Sequence, residues 1–233
     1  MNQLSFVKKF DNGSYAILED SSKQRYLATQ NFDVGKSVYG EKIVKMDDVE
    51  YRLWEPYRSK LAAALLKNLE NTPILESSAV LYLGASTGTT VSHVSDILGP
   101  KGIVFAVEPS SRVARELLEN VAVRRSNVIP IIMDARNYLQ YYSYFGTVDT
   151  VYSDIAQPDQ TDIAINNCKS YLKPGGSLLI IIKTRSIDVL MDPKLVTKNE
   201  ARKLEKNNFE ILQTINLEPF DKDHSLIHAK YMG

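Results

Sequence analysis

The chain has 233 residues, 44% of them hydrophobic, with 28 basic and 28 acidic side chains and a formal net charge of zero. This suits one main globular domain with a sizeable core and a small appendage, and it excludes a polycation that coats nucleic acid while leaving room for a local basic face. One cysteine and three histidines rule out an internal disulfide and argue against a zinc site. Cys168 reads as a buried apolar filler on a helix. With no signal peptide and no apolar run near the ~20 residues of a membrane span, a soluble cytoplasmic protein is expected.

Residues 1–50 read as a small antiparallel β domain. "SFVKKF", "SYAILE" and "RYLAT" are strand-like, the turns between them fall at "DNG" and "EDSSK", and "DVGKSVYGEKIV" continues in that style. From residue 51 to 233 the period changes. "SKLAAALLKNLE" (59–70) is a helix, with Leu61, Leu65 and Leu69 on one stripe and Pro56 near its start. Strands at 79–83, 103–107, 128–132, 148–152 and 177–183 then alternate with helices at 89–98, 111–124, 135–145, 160–172 and 194–207. Strands at 209–217 and 224–232 close the chain across a short turn and must be antiparallel to each other. Continuous apolar strands alternating with helices predict an open, doubly wound α/β sheet, here ending in a hairpin. Ligands of such sheets bind at the carboxyl ends of the strands.

The first strand of the series turns into its helix through "LGASTGTT", with Gly84 and Gly88 freeing the backbone and the helix offering unbonded N–H groups. The dinucleotide pattern G-x-G-x-x-G is absent, and so is a P-loop lysine. Glu108 ends the second strand, where a carboxylate can accept two ribose hydroxyls, and Asp134 ends the third, placed to receive an amino group such as adenine N6. Each acid could equally cap a helix. Together the groups describe a pocket for a nucleoside without phosphates, S-adenosylmethionine. Lys60 opens the helix before the first strand, Asp154 ends the fourth, Lys183 ends the apolar run "LLIIIK", and Asp223 lies in the last loop, all at the same rim. A Lys–Asp–Lys–acid cluster beside a methyl donor suits deprotonation of a poor nucleophile such as a ribose 2′-hydroxyl. Lys183 in its neutral form would be the general base and Asp154 would orient it.

"VYGEK" (38–42), "YRLWEPYRSKLAAAL" (51–65), "LYLGASTGTTVSHVSDILGPKG" (81–102), "NVIPIIMDAR" (127–136), "DIAQPDQ" (154–160) and "EPFDKDHSLI" (218–227) resemble fibrillarin over nearly the whole chain. The start directly in the β domain resembles the archaeal form. The resemblance implies a Rossmann-like class I methyltransferase that 2′-O-methylates ribose in rRNA, and in tRNA, as the catalytic subunit of a box C/D ribonucleoprotein. It implies S-adenosyl-L-methionine as cofactor, a guide RNA that selects the target, a Nop-family scaffold and a kink-turn-binding protein, with no metal. Cofactor contacts would fall on Gly84, Thr89, Thr90, Glu108, Pro109, Asp134, Ala135, Asp154, Ile155, Ala156 and Gln157. Pro109 stands where the family usually has an aromatic. The catalytic tetrad would fall on Lys60, Asp154, Lys183 and Asp223. Lys45, Arg52, Arg58 and Arg185, with the two site lysines, would form the local RNA-binding patch. A cofactor-binding structural subunit and a small-molecule methyltransferase are the alternative readings.

Overall fold

A computed structural model describes residues 4–10 and 14–233; the turn expected at 11–13 lies outside them. The N-terminal strands β1 (Ser5–Phe10), β2 (Tyr15–Glu19), β3 (Arg25–Gln30), β4 (Ile43–Met46) and β5 (Val49–Trp54) form an antiparallel sheet of order β1-β2-β3-β5-β4. β5 carries this sheet past residue 50, through Trp54. Of the stretch 33–44 expected to continue as β structure, 33–42 is irregular. It is held by carboxylates: Glu50 accepts from the Asn31 amide at 2.6 Å and from the Gly35 N–H at 2.7 Å.

The main sheet contains β6 (Ala79–Leu83), β7 (Ile103–Val107), β8 (Val128–Ile131), β9 (Val148–Ser153), β10 (Leu172–Lys183), β11 (Phe209–Asn216) and β12 (His224–Tyr231). Its order is β11-β12-β10-β9-β6-β7-β8. Strands β10, β9, β6, β7 and β8 are parallel, and β12 runs antiparallel to both neighbours. Chain order reverses at β6, whose neighbours β7 and β9 lead away in opposite directions, so a crevice opens at the carboxyl ends there. The helices are α1 (Lys60–Leu66), α2 (Thr89–Leu98), α3 (Ser111–Leu117), α4 (Gln160–Tyr171), α5 (Thr184–Ile187) and α6 (Pro193–Glu205). Cys168 is fully buried on α4, among apolar side chains.

Several helices depart from their expected bounds. Pro56 lies in a separate 3-10 turn (Pro56–Arg58), and Ser59 caps α1 by accepting from the Ala62 N–H. α1 stops at Leu66 because Asn68 takes φ +62°, although Leu61, Leu65 and Leu69 are all buried as the stripe requires. α3 continues as a π-helical turn, Leu118–Ala122. The segment 135–145 forms a 3-10 helix (Ala135–Tyr141) interrupted at Asn137.

The two sheets are joined by polar groups buried on α2. Arg52 on β5 is fully buried and reaches Glu41 (2.5 Å), Asp96 (2.8 Å) and Ser92 (2.9 Å). Arg125 bonds Asp96 from the other side at 2.5 Å. Thr29 gives its one hydroxyl proton to Asp96 at 2.7 Å, so its oxygen must accept from His93 Nδ1–H, also at 2.7 Å. That leaves His93 Nε2 to accept from the Tyr39 hydroxyl at 2.7 Å. Burial, with Arg52 and Arg125 nearby, pushes the His93 pKa well down, and burial pushes Tyr39 up to about 12. Both are neutral, as that bonding needs. Trp54 stacks on the imidazole at 4.6 Å. Arg52 is therefore an internal strut, which corrects its assignment to an RNA-facing patch: no part of its side chain reaches solvent.

Candidate active site

Gly84 takes φ +83°, and a Cβ there would lie 2.9 Å from the Asp154 carbonyl oxygen. Only glycine lets the end of β6 lie this close to the end of β9. Gly88 caps α2 at φ +94°, where a Cβ would strike Val121 and Leu117 at 2.6 and 2.7 Å. The turn between them has Ser86 at φ +51° and aims its N–H at Glu108 Oε2, 2.9 Å away. Glu108 Oε1 accepts from the Ser110 N–H at 3.0 Å. Two amides thus orient a nearly buried carboxylate, and its remaining lone pairs are available to a pair of vicinal hydroxyls.

A cavity of about 230 Å³ opens here, lined by Gly84, Glu108, Pro109, Asp134, Ala135, the run Asp154–Gln157 and Lys183. Asp134 serves as a cap as well: its side chain accepts from the Arg136 N–H at 2.8 Å. Arg136, also on the cavity wall, is held by Asp159 at 2.8 Å and Gln157 at 3.0 Å, and lies 3.5 Å from Asp134. A recess walled by three carboxylates, Glu108, Asp134 and Asp154, with its arginine and its lysine both paired, repels phosphates and suits a nucleoside carrying a cationic group. Thr89 and Thr90 do not line the cavity. The Thr90 hydroxyl instead donates to Ser59 Oγ at 3.0 Å, tying the start of α2 to the cap of α1. That bond helps place Lys60.

Lys60 Nζ lies 3.3 Å from Asp154 Oδ2, and Lys183 Nζ lies 2.7 Å from Asp154 Oδ1 and donates to the Asp154 carbonyl at 2.8 Å. The three side chains are 22%, 16% and 15% exposed, so they are recessed yet open to a substrate. Lys183 is fixed further because its N–H donates to Gln160 Oε1 at 3.1 Å.

Asp223 is not brought to this group. Its carboxylate pairs with Arg185 at 3.3 Å, while its carbonyl accepts from the Thr184 hydroxyl at 2.8 Å and the Thr184 N–H at 3.2 Å, pinning the chain just after Lys183. The acid beside Lys60 is Asp221, at 3.7 Å, which also contacts His224 Nδ1 at 2.9 Å. Two acids two residues apart in one loop are indistinguishable by spacing. Ser86, Gln160 and Asp221 are the site residues that sequence reasoning missed. Of the expected RNA contacts, Arg58 and Arg185 flank the site lysines in the chain and are exposed, and Lys45 pairs with Asp48 at 2.8 Å on the edge strand β4.

The family model described as Fibrillarin matches residues 7–233. The fibrillarin-like rRNA/tRNA 2′-O-methyltransferase of Saccharolobus solfataricus is 54% identical over 233 residues, covering 100% of both chains. The crystal structure of Aeropyrum pernix fibrillarin in complex with natively bound S-adenosyl-L-methionine is 43% identical, covers 98% of this chain and 100% of that one, and has a TM-score of 0.89. A fibrillarin/Nop5p complex structure is 40% identical, covers 89% and 94%, and has a TM-score of 0.80. The chain belongs to the fibrillarin family.

Proposed function

We propose that this chain is an S-adenosyl-L-methionine-dependent RNA ribose 2′-O-methyltransferase, acting on rRNA and tRNA as the catalytic subunit of a guide-RNA ribonucleoprotein. The observation that carries the chemistry is the pair of recessed lysines held on one carboxylate at the rim of the acid-lined cavity. When bound, the cofactor supplies an electrophilic methyl group. Glu108 would hold the ribose hydroxyls of that nucleoside, and Asp134 would receive an amino group of its base. Asp154 holds Lys60 and Lys183 on opposite oxygens, so both side-chain nitrogens border one spot where a ribose hydroxyl can sit. Lys183, when neutral, takes the hydroxyl proton, and Lys60 stabilises the negative charge that builds on the oxygen. Asp221 keeps Lys60 in that position.

Substrate selection fits the neutral chain. A guide RNA that pairs with the target leaves the protein only a local basic rim to provide, and Arg58 and Arg185 supply it. A Nop-family scaffold and a kink-turn-binding protein would hold that RNA in place. The test is a particle reconstituted from this chain, a box C/D guide, its target RNA and the two partner proteins with tritiated S-adenosylmethionine. Label at the ribose of the guided nucleotide is expected. Cofactor binding without RNA label would overturn the reading in favour of a structural subunit.

A further inference from the structure

One side of α6 is a line of cations. Lys194, Lys198, Arg202 and Lys206 follow at four-residue steps and all are exposed, so they stand about 6 Å apart along the helix and ~18 Å end to end. Among the described residues none of the four is in an ion pair, whereas Lys203, off that line, is tied to Asp162 on α4 at 2.5 Å. One acid, Glu205, shares the exposed side, in the last turn. Lys194 runs against the preference of its own helix. The macrodipole makes a first turn favour anions, yet α6 has no acid there. Folding gains nothing from a lysine at that place.

The line starts beside the reacting lysine. On β12, His224 is paired opposite Lys183 and Ser225 opposite Ile182, and the Thr197 and Ser225 hydroxyl oxygens lie 3.4 Å apart. Lys194 and Lys198, on either side of Thr197, wall a cleft of about 500 Å³ together with His224 and Ser225. Asp192, Glu218 and Asp223 share that wall; Asp192 caps α6 by accepting from the Lys194 N–H at 2.7 Å, and Asp223 is held by Arg185. The other end of α6 lies away from the rim: just past Lys206, the Asn208 carbonyl accepts from the Met232 N–H beyond the far end of β12, at 2.8 Å.

Resting on the ribose-methylation reading, we infer that Lys194 and Lys198 hold backbone phosphates of the guide–target duplex while its minor groove faces the site lysines. An A-form duplex shows its 2′-hydroxyls in a wide, shallow minor groove, and proteins that engage it there also contact the bordering phosphates. A ribose presented to Lys60 and Lys183 therefore brings backbone over the protein beside them. On the Lys183 side that surface is β12 and then the first turns of α6. Arg202 and Lys206, about 6 and 12 Å further from the rim than Lys198, add attraction at a distance without touching the RNA.

The test measures Kd for target RNA in the reconstituted particle by filter binding from 0.1 to 0.3 M salt, beside single-turnover methylation. Each phosphate contact contributes about 0.9 to the slope of log affinity against log salt. Lys194→Gln combined with Lys198→Gln should flatten that slope by about 1.8, so its affinity deficit should shrink about sevenfold across this range. Cofactor Kd and the rate at saturating target should stay unchanged, and the melting temperature should hold or rise. Arg202→Gln combined with Lys206→Gln should change the slope less than half as much. Neutral methylphosphonate linkages, placed near the methylated pair on the target or on the guide, identify the strand: on one of them the native chain loses affinity and the Lys194/Lys198 variant loses nothing further. An unchanged slope, equal effects of the two double variants, or no loss from neutral linkages on either strand would overturn the inference. So would loss of the scaffold protein from the variant particle with target affinity unchanged, which marks a protein interface. Ribose labelling by the native chain leaves the methyltransferase reading intact in each case, and absence of that labelling would overturn the reading itself.

Discussion

Replacing Arg52 with methionine separates the two roles that residue could have had. Its guanidinium is fully buried and satisfies Glu41, Asp96 and Ser92. Methionine leaves those groups without their counter-charge while filling similar space. Removing one partner of a buried ion pair costs about 3–5 kcal/mol. Glu41 keeps the N–H groups of Val38 and Tyr39, and Asp96 keeps Arg125, Thr29 and the Phe32 N–H, which points to the lower end. At ~2–4 °C per kcal/mol for a chain of this size, the melting temperature should fall by about 6–12 °C at 3 kcal/mol. Thermal unfolding followed by circular dichroism, repeated on Glu41→Gln and the double variant, measures the coupling. RNA affinity below the transition should be nearly unchanged. A native melting temperature combined with a large loss of RNA affinity would refute the buried-strut account.

Three further outcomes follow from the geometry. Gly84→Ala must force a Cβ to 2.9 Å from the Asp154 carbonyl at φ +83°, adding to a left-handed strain of about 1–2 kcal/mol; calorimetry should show weakened cofactor binding even where the variant is folded. Asp221→Asn loosens Lys60 and should lower the methylation rate constant about tenfold, whereas Asp223→Asn breaks only the half-exposed pair with Arg185, worth at most about 1 kcal/mol; equal effects of the two would contradict the placement. His93 and His228 have folded pKa values below 6.5, His93 through burial and two arginines and His228 through burial. The unfolded chain therefore binds their protons first, and stability should fall as pH drops below about 6.5, by up to ~1.36 kcal/mol per pH unit for each group. Urea midpoints between pH 7.5 and 5.5 check this, and His93→Asn should flatten the slope.

Much of the main domain was legible because its strands are apolar runs punctuated by turns. The bounds 79–83 and 103–107 match the observed strands, and α2 matches at 89–98. The cavity was legible because the first strand ends on a glycine turn and the next three end on acids, Glu108, Asp134 and Asp154. The failures share a physical cause: partners distant in sequence. Arg52 in a strand reads the same whether it faces solvent or carboxylates that the fold brings from residues 41 and 96. The polar stretch "SHVSD" looks like a solvated helix face but lies buried beneath β3 and β5, where a second sheet supplies its bonds. Nothing local distinguishes Asp221 from Asp223; the choice rests on how the loop turns at Asp223, whose φ is +58°. The continuation of β10 back to Leu172 was hidden by "KPGG", which reads as a turn yet is taken up in a register shift against β9.

The most direct test of the central claim is Lys183→Ala assayed in two ways: cofactor affinity by calorimetry, and single-turnover ribose methylation in the reconstituted particle. If Lys183 moves the hydroxyl proton from its place on Asp154, cofactor affinity stays within a few-fold of native while transfer falls by about 10²–10⁴. Transfer at the native rate, or loss of cofactor binding in proportion to loss of transfer, would contradict the account.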